Sequence, residues 1–373
     1  MQTYFKEEPL MQTAKIAIMT AVNEPFEIRE YPLTAPADGM AQMKLIASGV
    51  CGTDLHIWRG KIPTNPPTGI GHEFVGKVTE IAVADGEKYG IAVGDNVVVD
   101  IACPCGECLL CRTGDDANCL NMGVTNGGDP DVAPHFYGGY GEYNYSPVKN
   151  LIRIPDELDP KMVCVFACAG PTALHAFRLA KEAACLIEQA QVAVVQGLGP
   201  VGSFAVMYLA TLGIPHIIAV TGRKETNRAA SAMKLGATEV IDLEDGGAAL
   251  KARVSELSGG IGADVVFEAS GNPKAVPQGM NLLRNRGTYL IPGQYSNSGD
   301  VEIPPQKITF NALRLIGSSQ YSVSDVENYI AFLQKNPQLH HLISDMITAY
   351  PVTEVNKALA DAAKGCNVKT VLV

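Results

Sequence analysis

The chain has 373 residues, which is enough for two domains with separate hydrophobic cores. Hydrophobic residues make up 47% and charged residues 18%, as in an ordinary soluble enzyme, and no apolar run is long enough to span a membrane. The net charge of −10 argues against nucleic acid or an anionic membrane surface as the main partner. The N-terminus lacks a basic segment followed by an apolar one, so we expect no secretory signal and a cytoplasmic protein.

The first part of the chain predicts short strands. Residues 15–19, 26–30 and 43–47 have strand character, and Gly and Pro punctuate them without long helical periodicity. Further Gly- and Val-containing strands at 74–82 and 93–99 indicate a tightly curved, mostly antiparallel barrel. This region is therefore predicted to be all-β.

A candidate metal site lies in two motifs, Cys51-Gly-Thr-Asp-Leu-His56 and Gly71-His72-Glu73. A thiolate and an imidazole suit Zn²⁺ better than a hard, oxygen-seeking cation. A third ligand would complete a catalytic site that keeps its fourth position open, and Cys168 is the best candidate. Cys164 lies one helical turn away, so spacing alone does not decide between the two cysteines. For either motif alone, a buried cysteine or a core histidine is the simpler interpretation.

Five of the ten cysteines lie within residues 103–119. Four of them have a spacing that can wrap one loop around a tetrahedral Zn²⁺ with no vacant position: Cys105, Cys108, Cys111 and Cys119. A closed shell indicates a structural site, because metal binding then supplies folding free energy to the loop. A redox dithiol or an iron–sulfur cluster is the alternative, but no βαβ unit surrounds the motif. A reducing compartment would keep these thiols free to bind metal.

From about residue 190, strands and helices alternate, which predicts a doubly wound parallel sheet. The predicted strands are 191–196, 216–221, 239–242, 263–267 and 287–291, and the predicted helices are 203–212, 224–235, 248–257 and 273–283. After about residue 313 the pattern changes to a helix over 323–334 and a strand–helix–strand finish. This last part is expected to return to the first domain.

A glycine-rich motif at 197–202 lies between a buried strand and a helix, where a dinucleotide-binding turn requires it. Its first glycine allows the tight turn, the second lets the backbone approach a pyrophosphate, and the third allows close helix–strand packing. The helix N-terminus supplies amide donors to the phosphates. A merely structural turn is the alternative. The predicted cofactor contacts are Gly197, Gly199, Pro200, Val201 and Gly202.

The end of the second predicted strand bears on cofactor choice. An NAD site normally has an acidic residue about 20 positions beyond the glycine motif, whereas this chain reads Thr221-Gly222-Arg223-Lys224. Gly222 removes the carboxylate that would repel a 2′-phosphate, and Arg223 and Lys224 offer cationic donors for one. The alternative is a solvated basic turn. The sequence therefore favours NADP(H) over NAD(H).

Together these motifs resemble those of the zinc-dependent medium-chain alcohol dehydrogenase family, and the resemblance covers about residues 15–373. It rests on the two metal motifs, the four-cysteine lobe, Cys168-Ala-Gly-Pro-Thr172 and the glycine motif. It implies a GroES-like β-barrel catalytic domain plus a Rossmann doubly wound parallel sheet, with the active site in the cleft between them. The implied domain boundaries are 1–168 for the catalytic domain, 169–312 for the cofactor domain and 313–373 for the segment that returns to the catalytic domain. The zinc lobe lies at about 103–119 within the first of these.

The resemblance places the catalytic zinc on Cys51, His72 and Cys168, because Cys-Ala-Gly and the following threonine match the family's segment. Glu73 falls where the family keeps a carboxylate near the metal. Asp54 falls where a partner orients the histidine ligand. With the cysteine lobe, two zinc ions per chain are implied.

The resemblance also assigns the proton relay and further cofactor contacts. Thr53 matches the relay hydroxyl and His56 its solvent-side end. Thr172 matches the family's segment beside the cofactor, and Lys369 lies where the family often has an arginine near the cofactor phosphates. The implied reaction interconverts a small-molecule alcohol and a carbonyl compound by hydride transfer. A homo-dimer or homo-tetramer is implied, built partly by pairing the Rossmann edge near 309–316.

Other functions are open at this point. A polyol or amino-alcohol dehydrogenase of the sorbitol or threonine type shares the Cys-Gly-Thr-Asp-Leu-His motif. A non-catalytic zinc and nucleotide-binding protein would not need the relay, and a zinc ribbon that binds nucleic acid does not suit the charge of −10. Trp58 and the tyrosines of 137–145 could line the pocket or simply pack. The substrate itself is not predicted.

Overall fold

The structure is a computed structural model and describes residues 12–222, 227–243 and 247–373. In the first half of the chain, strands are joined by turns and short helices. In chain order these elements are β1 (Thr13–Met19), β2 (Glu27–Pro32), β3 (Met40–Gly49), α1 (Gly52–Trp58), β4 (Thr68–Gly69), β5 (Glu73–Ile81), α2 (Val83–Tyr89), β6 (Asn96–Val99), β7 (Ala102–Cys103), α3 (Leu109–Arg112), β8 (Gly123–Val124), β9 (Tyr143–Pro147), β10 (Leu151–Arg153), α4 (Pro160–Cys164) and α5 (Ala169–Glu182).

In the second half, strands and helices alternate. In chain order the elements are β11 (Val192–Gln196), α6 (Pro200–Thr211), β12 (His216–Thr221), α7 (Asn227–Lys234), β13 (Glu239–Asp242), α8 (Ala248–Leu257), β14 (Ala263–Glu268), α9 (Ala275–Leu282), β15 (Leu283–Ile291), α10 (Pro305–Phe310), β16 (Arg314–Gly317), α11 (Val323–Lys335), α12 (His340–Ser344), β17 (Ile347–Tyr350), α13 (Val355–Lys364) and β18 (Lys369–Leu372). The predicted start of α7 at Lys224 lies outside the described residues.

The GroES-like domain is built on a sheet of order β10-β6-β5-β3-β18-β17, with β9 also paired to β3. Apart from the parallel β17–β18 pair, its strand pairs are antiparallel. This confirms the prediction of mostly antiparallel strands in the first part of the chain. Valines such as Val75 and Val98 face each other across β5 and β6 and are buried, as β-branched residues in a packed sheet should be. Gly49 of β3 pairs with both Glu73 and Val371, so β3, β5 and β18 bring three distant segments together.

The Rossmann domain contains the predicted parallel sheet, in the order β13-β12-β11-β14-β15-β16. All five pairs along this order are parallel. The central strand β11 reads Val-Ala-Val-Val-Gln and is buried at every position, because helices cover both faces of such a sheet. The doubly wound fold is confirmed.

The parallel sheet extends further than the sequence predicted. The sequence predicts the end of this domain at residue 312, whereas β16 follows that point and pairs with β15. The reason is local: the segment 292–304 is rich in Gly, Ser and Pro, and α10 is only six residues long, so the alternating pattern is interrupted before its last strand. The predicted strand–helix–strand finish is present as β17, α13 and β18.

Helix α5 starts immediately after Cys168 and is fixed to α11 by a buried carboxylate. Asp325 is bonded to His175 at 2.8 Å and accepts a hydrogen bond from Arg178 at 3.1 Å. The same carboxylate accepts a hydrogen bond from the Ser322 hydroxyl and so also caps α11. Because buried charges require partners of this kind, the network sets the direction of α5. None of the helices in the described residues is long and apolar enough to cross a membrane.

Candidate active site

The fold brings together the four residues predicted around the catalytic metal. Ligand atoms of Cys51, His72, Glu73 and Cys168 all lie within 4.8 Å of one another. Cys51 precedes α1, His72 precedes β5 and Cys168 precedes α5, so each sits where a regular element fixes its backbone. Cys164 lies apart: its Sγ donates a hydrogen bond to the Glu73 carbonyl, and burial raises its pKa to about 12. The structure thus distinguishes two cysteines that the spacing could not.

Asp54 orients the histidine of this cluster. One of its carboxylate oxygens lies 3.0 Å from Nδ1 of His72. The other accepts hydrogen bonds from the Tyr140 hydroxyl and the Cys51 amide, each at 2.8 Å. Since an ionised carboxylate only accepts, Nδ1 of His72 carries the proton and Nε2 is free for a metal.

The charges of the cluster suit a divalent cation with sulfur and nitrogen ligands. A shared hydrogen bond lowers the pKa of Cys51 and raises that of Cys168, so the two thiols compete for one proton. Burial opposes the charged form of His72, yet Asp54 and the sulfurs of Cys51 and Cys168 raise the pKa of its imidazole. The groups around the cluster therefore favour a positive charge at this place, which a metal cation can supply. Two thiolates and a neutral imidazole would balance Zn²⁺, and all three donors are ligands that zinc prefers. The donor set therefore fits a zinc ion.

Glu73 and Lys369 form a buried ion pair beside this cluster. The Lys369 ammonium donates to one carboxylate oxygen of Glu73, and both side chains are almost fully buried. Burial disfavours the lysine's charge, but Glu73 outweighs it and raises the pKa of Lys369. A Cβ atom at Gly49 would lie 1.8 Å from Glu73 and 2.9 Å from Lys369, so only glycine leaves room for the pair.

This position differs from the one predicted for Lys369. The resemblance put this lysine near the cofactor phosphates, whereas the structure places its ammonium against Glu73. Lys369 is not among the described residues that line the cavity beside the glycine motif. The difference arises because β18 pairs with β3 and so carries the lysine beneath the metal cluster.

The four lobe cysteines converge as predicted. Three of their Sγ–Sγ separations, 3.4, 3.9 and 4.0 Å, are close to the edge of about 3.8 Å expected for a tetrahedron with Zn–S bonds of about 2.3 Å. The amides of Cys105 and Cys108 donate to lobe sulfurs at 3.2 and 3.3 Å. Cys103 lies apart and donates to Asn150. The lobe therefore fits a second zinc ion with a closed shell.

A cavity of about 490 Å³ opens above the catalytic cluster. The predicted relay residues Thr53 and His56 line it together with Thr172. The Thr53 hydroxyl lies 3.8 Å from the Cys51 sulfur, and His56 has a buried Nδ1 without a partner in the described structure. Burial lowers the pKa of His56, and the nearby cations Lys61 and Arg59 lower it further.

A second cavity, of about 910 Å³, lies along the glycine motif. Gly197 has a φ of +93°, in the region that favours glycine. A Cβ atom at Gly202 would lie 1.9 Å from the Gly197 carbonyl oxygen, whereas one at Gly199 would meet nothing within 4 Å. These are the three roles that a dinucleotide-binding turn gives its glycines. Gly199, Ala269 and Ser270 line both cavities, so the two are continuous.

Glu268, which the sequence did not single out, shapes the boundary between the cavities. One oxygen of its buried carboxylate accepts hydrogen bonds from the Ser270 amide at 2.7 Å, the Ser270 hydroxyl at 2.6 Å and the Gly271 amide at 3.0 Å. These bonds fix the turn after β14. A lone Glu in a strand gives no sequence signal for such a role, because its partners are backbone groups of a turn.

The far end of the larger cavity is cationic. Among the described residues that line it are Arg228, Lys251 and Lys274, and none is Asp or Glu. Arg228 is partly buried, its Nε has no partner among the described residues, and burial lowers its pKa. Gly222 lines the same region, but the predicted cations Arg223 and Lys224 lie outside the described residues. Sequence reasoning missed Arg228 because it follows the predicted turn by several residues.

The aromatic residues of the active-site cavity also differ from those proposed from the sequence. Trp58 is not among the lining residues and donates to the Glu24 carbonyl instead. The tyrosines of 137–145 do not line the cavity either, whereas Tyr295 and Tyr321 do. Burial and the nearby Cys168 sulfur raise the pKa of Tyr321.

A cluster suited to zinc at the mouth of a dinucleotide-binding cleft is the arrangement of a nicotinamide-dependent dehydrogenase. The model of the alcohol dehydrogenase GroES-like domain matches residues 37–156, and that of the zinc-binding dehydrogenase matches residues 200–335. The 5-exo-hydroxycamphor dehydrogenase of Pseudomonas putida is 31% identical over 97% of this chain and 99% of its own. The sorbitol dehydrogenase of Halalkalibacterium halodurans is 29% identical over 93% and 95%.

Solved structures agree with these relatives. An alcohol dehydrogenase from Thermotoga maritima has 25% identity and a TM-score of 0.87 over 97% of this chain and 99% of its own. A structure from Sinorhizobium meliloti with bound NADP has 26% identity and a TM-score of 0.80 over 97% and 99%. The chain belongs to the zinc-dependent medium-chain dehydrogenase family and is an oxidoreductase.

Proposed function

We propose that the protein is a zinc-dependent alcohol dehydrogenase that interconverts an alcohol and an aldehyde or ketone, prefers NADP(H) to NAD(H) and holds two zinc ions per chain. The observation that carries this proposal is the continuity of the two cavities past the cluster of Cys51, His72 and Cys168. When bound, the zinc ion would act as a Lewis acid on the substrate oxygen and the nicotinamide would exchange hydride.

The chain's own residues supply the proton transfer. Thr53 lies beside the Cys51 sulfur and lines the cavity, so its hydroxyl can accept the proton of a substrate alcohol and donate its own onward. His56 lines the same cavity, and the cations Lys61 and Arg59 lie near it. Because its pKa is lowered, His56 is neutral near pH 7 and can accept that proton. In carbonyl reduction the proton moves in the opposite direction.

Replacing His56 with glutamine is expected to lower the rate of alcohol oxidation by about 100-fold, the usual contribution of a positioned general base. The lowered pKa sets the pH dependence: wild-type oxidation should be full near pH 7 and fall only as the pH drops below about 6.5, where His56 becomes protonated. Steady-state rates between pH 5 and 9, with and without added imidazole, would measure both effects.

Added imidazole should restore part of the activity of His56→Gln and leave the wild type unchanged. An unchanged rate in the variant, with the same fall in rate below about pH 6.5, would remove His56 from the relay.

The cofactor preference is supported by the charges of the larger cavity. Three cations and no carboxylate are found among its described lining residues, and Arg228 has no other partner there for its Nε. An additional phosphate would provide a counter-charge for this partly buried guanidinium, whose Nε has no partner among the described residues.

Replacing Arg228 with alanine is expected to weaken NADPH binding by about 10- to 100-fold, because a hydrogen bond to a charged group contributes about 1.5–3 kcal/mol. NADH binding should change little. Fluorescence titration of zinc-loaded protein with both cofactors measures this difference, and Arg228→Lys serves as the charge-retaining control. A wild type that binds NADH more tightly, or an equal loss for both cofactors, would contradict the phosphate assignment.

A further inference from the structure

In the part of the chain that the structure describes, the active-site cavity is lined by uncharged side chains apart from its metal cluster. Among the described residues that line it there is no Asp, Glu, Lys or Arg. Charged groups are present nearby, but they face elsewhere. Asp54 and Glu73 are fully buried behind the metal ligands, while Arg59 and Lys61 influence His56 without lining the cavity.

The walls away from the cofactor cleft are mainly aliphatic. Ile57, Ile62, Ile70, Ile101 and Val124 line them. Uncharged polar side chains also line the cavity, among them Thr64, Ser319 and Gln320. Another is Asn126, whose amide already donates to the Gly71 carbonyl at 3.2 Å. A substrate hydroxyl placed against these aliphatic side chains would find few partners, which is costly for a buried polar group.

We infer that the site selects uncharged, largely apolar secondary alcohols and ketones of about the size of a carbocyclic ring, and that it disfavours polyols and amino acids. This inference rests on the proposed function and names its substrate class. The cofactor would fill part of the cavity of about 490 Å³, because Pro200 and Val201 also line it, but the space beside Ile57, Ile62 and Ile70 is more than a two-carbon alcohol fills. An amino acid would bring an ammonium and a carboxylate into a site whose described lining residues include no Asp, Glu, Lys or Arg as a counter-ion.

Two matched pairs of substrates test the inference on zinc-loaded protein with NADP⁺. Cyclohexanol and inositol share a six-membered carbon ring and differ in their hydroxyl groups, and 2-butanol and L-threonine share a four-carbon secondary alcohol and differ in their charges. We expect kcat/KM for cyclohexanol to exceed that for inositol by at least about 100-fold. The ratio of 2-butanol to threonine should be about 1,000-fold or more. Equal or reversed ratios would overturn the inference while leaving the dehydrogenase activity intact.

Calorimetry of the enzyme–NADP⁺ complex separates the substrate class from the activity. If none of the four compounds is oxidised but cyclohexanol binds at least about 100-fold more tightly than inositol, the apolar site is supported and the proposed reaction is overturned. Equal binding of the two would overturn the inference.

A matched pair of variants tests the wall itself. Val124 is 55% exposed at the rim of the cavity, so Val124→Asp should fold and should lower kcat/KM for cyclohexanol by about 10-fold. Val93 is 62% exposed and does not line the cavity, so Val93→Asp should leave it unchanged. Cofactor binding should be the same in both. Equal rates for the two variants would overturn the role assigned to this wall.

Discussion

Replacing His72 with alanine is expected to remove about one zinc ion per chain and to lower kcat/KM by at least about 1,000-fold, because the metal's stabilisation of charge amounts to several kcal/mol. His72 is the nitrogen donor of a cluster whose other proposed metal ligands are thiolates, and Asp54 fixes its tautomer. Without the His72 imidazole, only the two sulfurs and Glu73 remain, so the proposed zinc site loses its nitrogen ligand. The zinc content by mass spectrometry and the rate with NADP⁺ measure the two effects together.

The second zinc ion should stay in this variant, because the cysteine lobe lies on a separate loop with its own four ligands. His341→Ala is the matched control, since His341 is exposed on α12 and touches neither cluster. It should keep two zinc ions and full activity. Retention of both zinc ions and of activity by His72→Ala would remove His72 from the metal site.

The parts of the site that could be predicted from the sequence are those carried by short motifs. The glycine turn and the cysteine lobe each lie within one local segment, so spacing alone predicts their geometry. The catalytic cluster is different, because Cys51, His72 and Cys168 are distant in sequence. Its third ligand followed from a resemblance and not from spacing, and the structure supplies the physical distinction: Cys164 bonds to a backbone carbonyl away from the cluster.

Residues whose roles depend on tertiary contacts could not be predicted from short sequence motifs. Arg228 belongs to the cofactor cavity because α7 carries it back towards the end of β12, and the sequence showed only a helical cation. Glu268 acts on a backbone turn that lies two residues beyond it. The pairing of Lys369 with Glu73 could not be predicted, since the pairing of β18 with β3 decides where its side chain goes. Sequence patterns report local structure, and strand order is not local.

Replacing Lys369 with methionine is expected to lower the free energy of unfolding by about 3–5 kcal/mol, the usual cost of leaving one partner of a buried ion pair alone. Glu73 has no exposed surface, and its other carboxylate oxygen has no hydrogen-bond partner among the described residues. Methionine fills a similar volume, so the loss reflects charge more than packing. Denaturant unfolding of the zinc-loaded wild type and variant would measure the difference.

The double variant Lys369→Met/Glu73→Gln distinguishes this cause from simple loss of packing. If the uncompensated carboxylate is responsible, removing its charge should recover most of the lost stability, because neutral groups of similar volume can replace a buried ion pair at little cost. Space beside Gly49 is limited, and neither substitution adds a heavy atom to the side chain that it replaces, so neither should clash with this glycine. A single variant as stable as the wild type, or a double variant no more stable than Lys369→Met, would show that the ion pair does not determine the stability of these three strands.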